Sequence, residues 1–175
     1  AMGHDVTVLR HRVNLGKGAA LRTGARYAQK HGFDHVVFMD GDGQHTAESV
    51  EEAVGLLDDA DLVVGCRSFN EDMPWFSWIG NYFFYYTAWL LFGISVRDTQ
   101  SGFRALNTEV LDDVMWSTNH YGVETEMLVE AARNGVSTAT FDIPTIYLDE
   151  TKGTDPLHGI RIVLSMIYWR LTRWS

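Results

Sequence analysis

Residues 36–45 read VVFMDGDGQH. An apolar run rich in β-formers leads straight into Asp40 and Asp42, one residue apart, with Gly41 and Gly43 beside them. The run predicts a buried strand that ends where the glycines begin. Two carboxylates this close repel each other unless a cation lies between them. Hard divalent ions such as Mg2+ or Mn2+ take oxygen ligands, often one or two carboxylates plus the phosphates of a substrate. Gly41 and Gly43 allow close approach of backbone and phosphate, and Gln44 offers a neutral oxygen. A plain acidic turn capping the next helix is the competing reading of the pair alone.

On either side, strands and helices alternate. DVTVLRH (residues 5–11) alternates apolar and polar positions and predicts a strand. GAALRTGARYAQKHG (18–32) predicts a helix stopped by Gly32. TAESVEEAVGLLDDA (46–60) predicts a helix with Thr46 as N-cap and Glu48, Glu51 and Glu52 near its start, where the helix dipole favours acids. DLVVGCR (61–67) predicts the next strand. This β-α-β-α-β succession implies parallel strands and an α/β fold. Ligands of such sheets bind beyond the carboxyl ends of the strands, and Asp40, Asp42 and Arg67 fall at such ends.

The second half opens on PWFSWIGNYFFYYTAWLLFG (74–93), within a stretch free of Asp, Glu, Lys and Arg. Its length raises a membrane span, but Gly80, Asn81 and the density of Trp and Tyr favour an interfacial or core helix. TEVLDDVM (108–115) and ETEMLVEAARNG (124–135) predict two helices, the second with Glu124 and Glu126 at its start, where capping is the default role. STATFDIPTIYL (137–148) predicts a late strand interrupted by Pro144. HGIRIVLSMIYWRLTRWS (158–175) places Ile160, Val163, Leu164, Ile167, Leu171 and Trp174 on one helical face, with Arg161, Arg170 and Arg173 as its only charges.

Composition narrows the partners. The 175 residues suffice for one domain with a real core. The formal charge of -9 argues against nonspecific binding to nucleic acid, which needs a positive surface. Lys17, Lys30 and Lys152 are the only lysines, a composition that resembles proteins of high-salt organisms. The single cysteine, Cys66, forbids an intrachain disulfide and fits a reducing compartment. No secretory signal opens the chain. Two metal and phosphate motifs fail on inspection. Asp40, Asp42 and Glu51 match the first, third and twelfth positions of a calcium loop, but His45 stands where its glycine belongs. NLGKGAA (14–20) lacks the first glycine and the hydroxyl residue of a P-loop, although Lys17 at a helix start still suits an anion.

Taken in order, NLGKGAALRTG (14–24), MDGDGQH (39–45), ADLVVGCR (60–67), IGN (79–81), DTQSGFRAL (98–106), VETEML (123–128) and GIRI (159–162) resemble the family 2 glycosyltransferases of the GT-A fold. The likeness is to the polyprenyl (dolichyl) phosphate sugar synthases and spans nearly the whole chain. It implies an α/β, Rossmann-like three-layer domain with a central, mostly parallel sheet over residues 1–156. An amphipathic membrane-interface helix would follow over residues 157–175. In that family the D-x-D pair and the following Gln hold Mg2+ or Mn2+ on the nucleotide-sugar diphosphate, which implies Asp40, Asp42 and Gln44 as metal ligands. The resemblance implies catalytic roles for Asp42, Arg67 and Arg104. It implies substrate contacts for Lys17, Arg67, Asn81, Asp98, Gln100, Ser101, Arg104 and Glu124.

The reaction so implied is inverting transfer of a hexose from GDP-mannose or UDP-glucose to dolichyl or polyprenyl phosphate, at the cytoplasmic face of the membrane, with no nucleic acid partner. Two departures stand out. The family's first two strands, which bind base and ribose, precede the point where this chain starts, so an N-terminally shortened domain is expected. The basic residue that often precedes GN is absent from PWFSWIGN. The alternative is a noncatalytic remnant that binds a membrane or a partner enzyme. A metal-dependent nucleotidyltransferase is disfavoured, because a soluble sugar phosphate has no use for so apolar an aromatic segment.

Overall fold

The computed structural model describes residues 6–41, 43, 45–67, 75–120, 122–144 and 156–174, without the side chains of residues 75–79, 81 and 156–158. Asp42 and Gln44 therefore lie outside the described residues, as does the side chain of Asn81.

In chain order the elements are α1 (Lys17–Lys30), β1 (His35–Phe38), α2 (Ala47–Leu56), β2 (Leu62–Arg67), α3 (Trp75–Phe92), β3 (Arg104–Asn107), a 3-10 turn (Thr108–Val110), α4 (Val123–Asn134), β4 (Thr138–Ile143) and α5 (Pro156–Thr172). Their caps follow local chemistry. Thr46 accepts from the Ser49 amide at the start of α2, and Gly135, left-handed at φ 71, closes α4.

The sheet is mixed, in the order β1-β3-β2-β4. β3 runs antiparallel to both neighbours, with Phe38 opposite Arg104 and Val63 opposite Ala105. β2 and β4 are parallel from Leu62 opposite Thr138 to Arg67 opposite Ile143. Three of the four strands thus share one direction and β3 opposes them, so the chain enters β3 at the edge where β1 and β2 end. That crossing brings Asp40, Arg67 and residues 98–102 together. β2 is buried on both faces, as its continuous apolar run requires. One face meets α1, α3, α4 and α5 through Leu62, Val64 and Leu106. The other meets α2, with Ala53, Leu57, Val63 and Phe141 packed together. The result is the expected three layers.

Two expectations are corrected, the strand at residues 5–11 and the helix at 108–115. Residues 6–11 form no strand: Val6 and Val8 are each 80% exposed, and an alternating segment without a pairing partner among the described residues has nothing to hold it extended. Residues 108–115 form the 3-10 turn and further turns, not an α-helix. On α5 the buried stripe is Ile162, Met166 and Trp169, while Ile160, Leu164, Ile167, Tyr168 and Leu171 face solvent. α3 divides the same way, burying Phe84, Ala88 and Phe92 and exposing Phe83, Tyr86, Trp89 and Leu90. Among the described residues no helix is long and apolar enough to cross a membrane.

Candidate active site

Asp40 follows the end of β1, and Lys17 opens α1. Lys17 Nζ lies 2.6 Å from Asp40 Oδ1 and 2.7 Å from Glu124 Oε1. Glu124 enters from the first turn of α4 and is nearly buried. Two carboxylates from distant parts of the chain therefore already share a cation. Burial would push the Lys17 ammonium down, but Glu124 and Asp40 outweigh it and hold its pKa above the ordinary value. Gly102 closes the group: a Cβ there would run into Asp40 Oδ2 and fall 3.2 Å from Lys17 Nζ. Only glycine lets the loop backbone press against this carboxylate.

A second knot lies in the loop before β3. Asp98, 1% exposed, accepts from Arg67 Nε at 2.7 Å and Nη2 at 3.0 Å. It also accepts from the Gln100 amide at 3.3 Å. This bidentate fork fixes Arg67 at the end of β2. The Gln100 side chain donates to Thr125 Oγ1 at 2.6 Å. Ser101 is buried and its Oγ accepts from the Phe103 amide.

Arg104 lies beneath this loop, 1% exposed. It donates from Nε to the Ser101 carbonyl at 3.1 Å and from Nη2 to the Thr99 carbonyl at 3.0 Å. Its Nη1 has no hydrogen-bond partner among the described residues. Burial pulls its pKa down to about 10, partly offset by Glu124 and Asp98. The structure thus places Arg104 as the post under the loop that carries Gly102 to Asp40.

A third group, absent from the expected site residues, lies at the start of α1. Trp116 Nε1 donates to the Gly18 carbonyl at 2.8 Å, and the Ala19 amide donates to the Asn119 carbonyl at 3.3 Å. Arg22 donates to the Trp116 carbonyl at 3.1 Å. Residues 116–119 therefore clamp the first turn of α1 and aim Lys17. They are pinned in turn by Glu126, which is fully buried. It accepts from the Ser117 amide at 3.0 Å, the Ser117 hydroxyl at 2.7 Å, the Thr118 amide at 2.9 Å and Arg173 Nη1 at 2.7 Å. Burial alone would raise this carboxyl, but the bonds from Thr118, Arg173 and Ser117 hold it down at about 2. Arg173, one of the three charges of the last predicted helix, binds Glu126 and Glu130. An acid in a helix's first turn reads as a cap, so Glu126 carried no separate signal. An isolated Trp just before the turn-forming residues STNHYG (117–122) was the available hint for Trp116.

Of the expected site residues, the structure brings Asp40, Lys17 and Glu124 together, sets Asp98, Gln100 and Ser101 in the adjoining loop, and places Arg67 at the end of β2 and Arg104 at the start of β3. Among the described residues no three acids, histidines or cysteines cluster as a metal site.

Comparison with known proteins gives consistent results. The family model described as Glycosyl transferase family 2 matches residues 1–115. An uncharacterized protein of Methanocaldococcus jannaschii is 30% identical over 98% of this chain and 74% of its own length. A UDP-N-acetylglucosamine–dolichyl-phosphate N-acetylglucosaminyltransferase of Methanococcus voltae is 29% identical over 95% of this chain and 70% of its own. Glucosyl-3-phosphoglycerate synthase of Mycobacterium tuberculosis, solved with Mn2+, UDP and glucosyl-3-phosphoglycerate, superposes with a TM-score of 0.69 at 21% identity. That alignment covers 89% of this chain and 55% of the synthase, so it is a likeness of fold over about half the solved chain.

Proposed function

The chain belongs to glycosyl transferase family 2, and from that membership and the charge pattern of the site we propose that it serves transfer of a hexose from a nucleotide sugar to a polyprenyl or dolichyl phosphate. The observation that carries this reading is the pair Asp40 and Glu124 closing on a positive charge at 2.6 and 2.7 Å, beyond the end of β1. The Methanococcus relative, named for a dolichyl phosphate acceptor, supports the acceptor class.

The donor set fits a hard divalent ion. Asp40 offers carboxylate oxygen at a place that already holds a cation, and Asp42 and Gln44 would complete it with oxygen ligands. Such an ion, when bound, would offset the negative charge that gathers on the leaving diphosphate. An oxygen of the acceptor phosphate attacks the anomeric carbon. The new carbon–oxygen bond forms as the bond to the nucleoside diphosphate breaks, its electron pair leaves with the diphosphate, and the configuration inverts. The acceptor is already anionic, so no strong base is required. Arg67, held by Asp98 at the end of β2, is the arginine we assign to the phosphates, and Lys17 supplies a nearby positive charge. Arg104 acts through the loop it supports.

The acceptor's tail calls for an apolar landing surface. The exposed stripes of α3 (Phe83, Tyr86, Trp89, Leu90) and α5 (Ile160, Leu164, Ile167, Leu171) suit one. Exposed Arg161 and Arg170 suit anionic headgroups. We place this surface at the cytoplasmic face of the membrane.

The test is transfer of labelled sugar from GDP-mannose, UDP-glucose or UDP-N-acetylglucosamine to polyprenyl phosphate, parent chain against Asp42→Asn, at matched Mg2+ or Mn2+. The variant should lose at least about a hundredfold in turnover, the scale of a lost transition-state contact. Equal turnover would remove Asp42 from the site.

A further inference from the structure

We propose that Lys17 is the resident counter-ion of Asp40 and gives that carboxylate up to an incoming divalent cation while staying on Glu124. This deepens the metal reading given above and rests on it. The geometry limits how Asp40 can bind a metal. Its Oδ1 is taken by Lys17 Nζ at 2.6 Å, and its Oδ2 lies where a Cβ on Gly102 would stand. A divalent ion reaching either oxygen would stand within a few ångströms of an ammonium, and two positive centres at that distance repel strongly. One of them has to move, and Lys17 is the mobile one, a point charge on a flexible four-carbon stem.

Where Lys17 goes follows from burial. The Asp40 side chain is 38% exposed and can be solvated when its partner leaves. The Glu124 side chain is 11% exposed and is poorly solvated without a partner. Arg104, the other cation near Glu124, spends its Nε and Nη2 on loop carbonyls, its Nη1 has no partner among the described residues, and so it makes no hydrogen bond to Glu124. The ammonium therefore stays with the deeper carboxylate and frees the shallower one. Lys17 and the metal compete for Asp40, and Glu124 holds the displaced ammonium in the site. Before metal arrives, the same tie keeps Asp40 from standing unpaired against Gly102.

Competition has a measurable sign. Titration of the full chain with Mn2+ alone, following free Mn2+ by its paramagnetic resonance signal, gives the ion's Kd without need of the sugar donor. Lys17→Met should tighten Mn2+ about threefold, the scale of a partly exposed ion pair. Lys17→Arg should stay near the parent. Glu124→Gln leaves the ammonium with Asp40 alone and should weaken Mn2+, and adding Lys17→Met to it should restore binding. Melting temperatures within a few degrees of the parent establish that each variant is folded. Should Lys17→Met bind Mn2+ equally or more weakly while Asp40→Asn abolishes binding, the counter-ion role is overturned and the metal reading stands. A double variant as weak as Glu124→Gln would make Glu124 a ligand and also overturn it. No saturable Mn2+ binding in any form would overturn both.

Discussion

Glu126 receives four hydrogen bonds at one carboxylate, and this residue decides more of the site than its place two positions after Glu124 suggests. It holds residues 117 and 118, which hold the first turn of α1, which aims Lys17 at Asp40. Its folded pKa of about 2 lies below the reference value of 4.5. The linked stability is therefore fully present above about pH 4.5 and is lost as pH falls toward about 2. Glu126→Gln should lower unfolding free energy by about 3 kcal/mol at neutral pH. The difference from the parent should shrink in urea titrations run at successively lower pH, and a deficit equally large in acid would mean that the carboxylate is not held ionised. Glu126 was legible only as a helix-start acid, because sequence shows the helix end and not the segment lying across it. Gly102 is similar: the resemblance marked residues 98–106, but the need for a bare backbone against Asp40 arises from a contact between distant parts of the chain. Asp40, by contrast, could be read from its own neighbours, since a strand end and its glycines are local.

At the level of elements, α1 and α2 follow their periodic patterns because each buries one face, whereas β2 and most of α4 are buried all round and were legible as an apolar run and a capped helix start. Two elements show where pattern stops. The alternation of residues 5–11 is that of a strand, yet pairing makes a strand and no partner is present among the described residues. α5 is apolar on two sides, so periodicity alone could not say which side packs. Met166 is fully buried and Leu171 is 80% exposed. Leu171→Asp should therefore leave the melting temperature within about 2 °C of the parent, as surface changes do, and should release the chain from anionic liposomes in co-sedimentation. Met166→Asp buries a charge without a partner and should lower the melting temperature by more than about 10 °C. If Leu171→Asp sediments with liposomes as the parent does, the exposed stripe is not the lipid contact.

Across the whole molecule, α4 joins the two ends of the proposed reaction. One turn of it carries Glu124 toward Lys17 and Glu126 toward Arg173, so the helix with the exposed apolar stripe is latched to the same turn that borders the charged site. The order β1-β3-β2-β4 has a further consequence, in time and not in space. As the chain leaves the ribosome, β1 and β2 are both complete before either has a described strand to pair with, because β3, which lies between them, begins only at Arg104. Until then, among the described residues, β1 and β2 lack the strand that will lie between them, and their pairing must bridge long intervening segments, which slows folding. Nascent chains halted before Arg97 should remain fully digestible by protease, and resistance should appear only after β3 and α4 have emerged. Resistance in the shorter chains would mean that β1 and β2 find shelter earlier than the finished sheet provides.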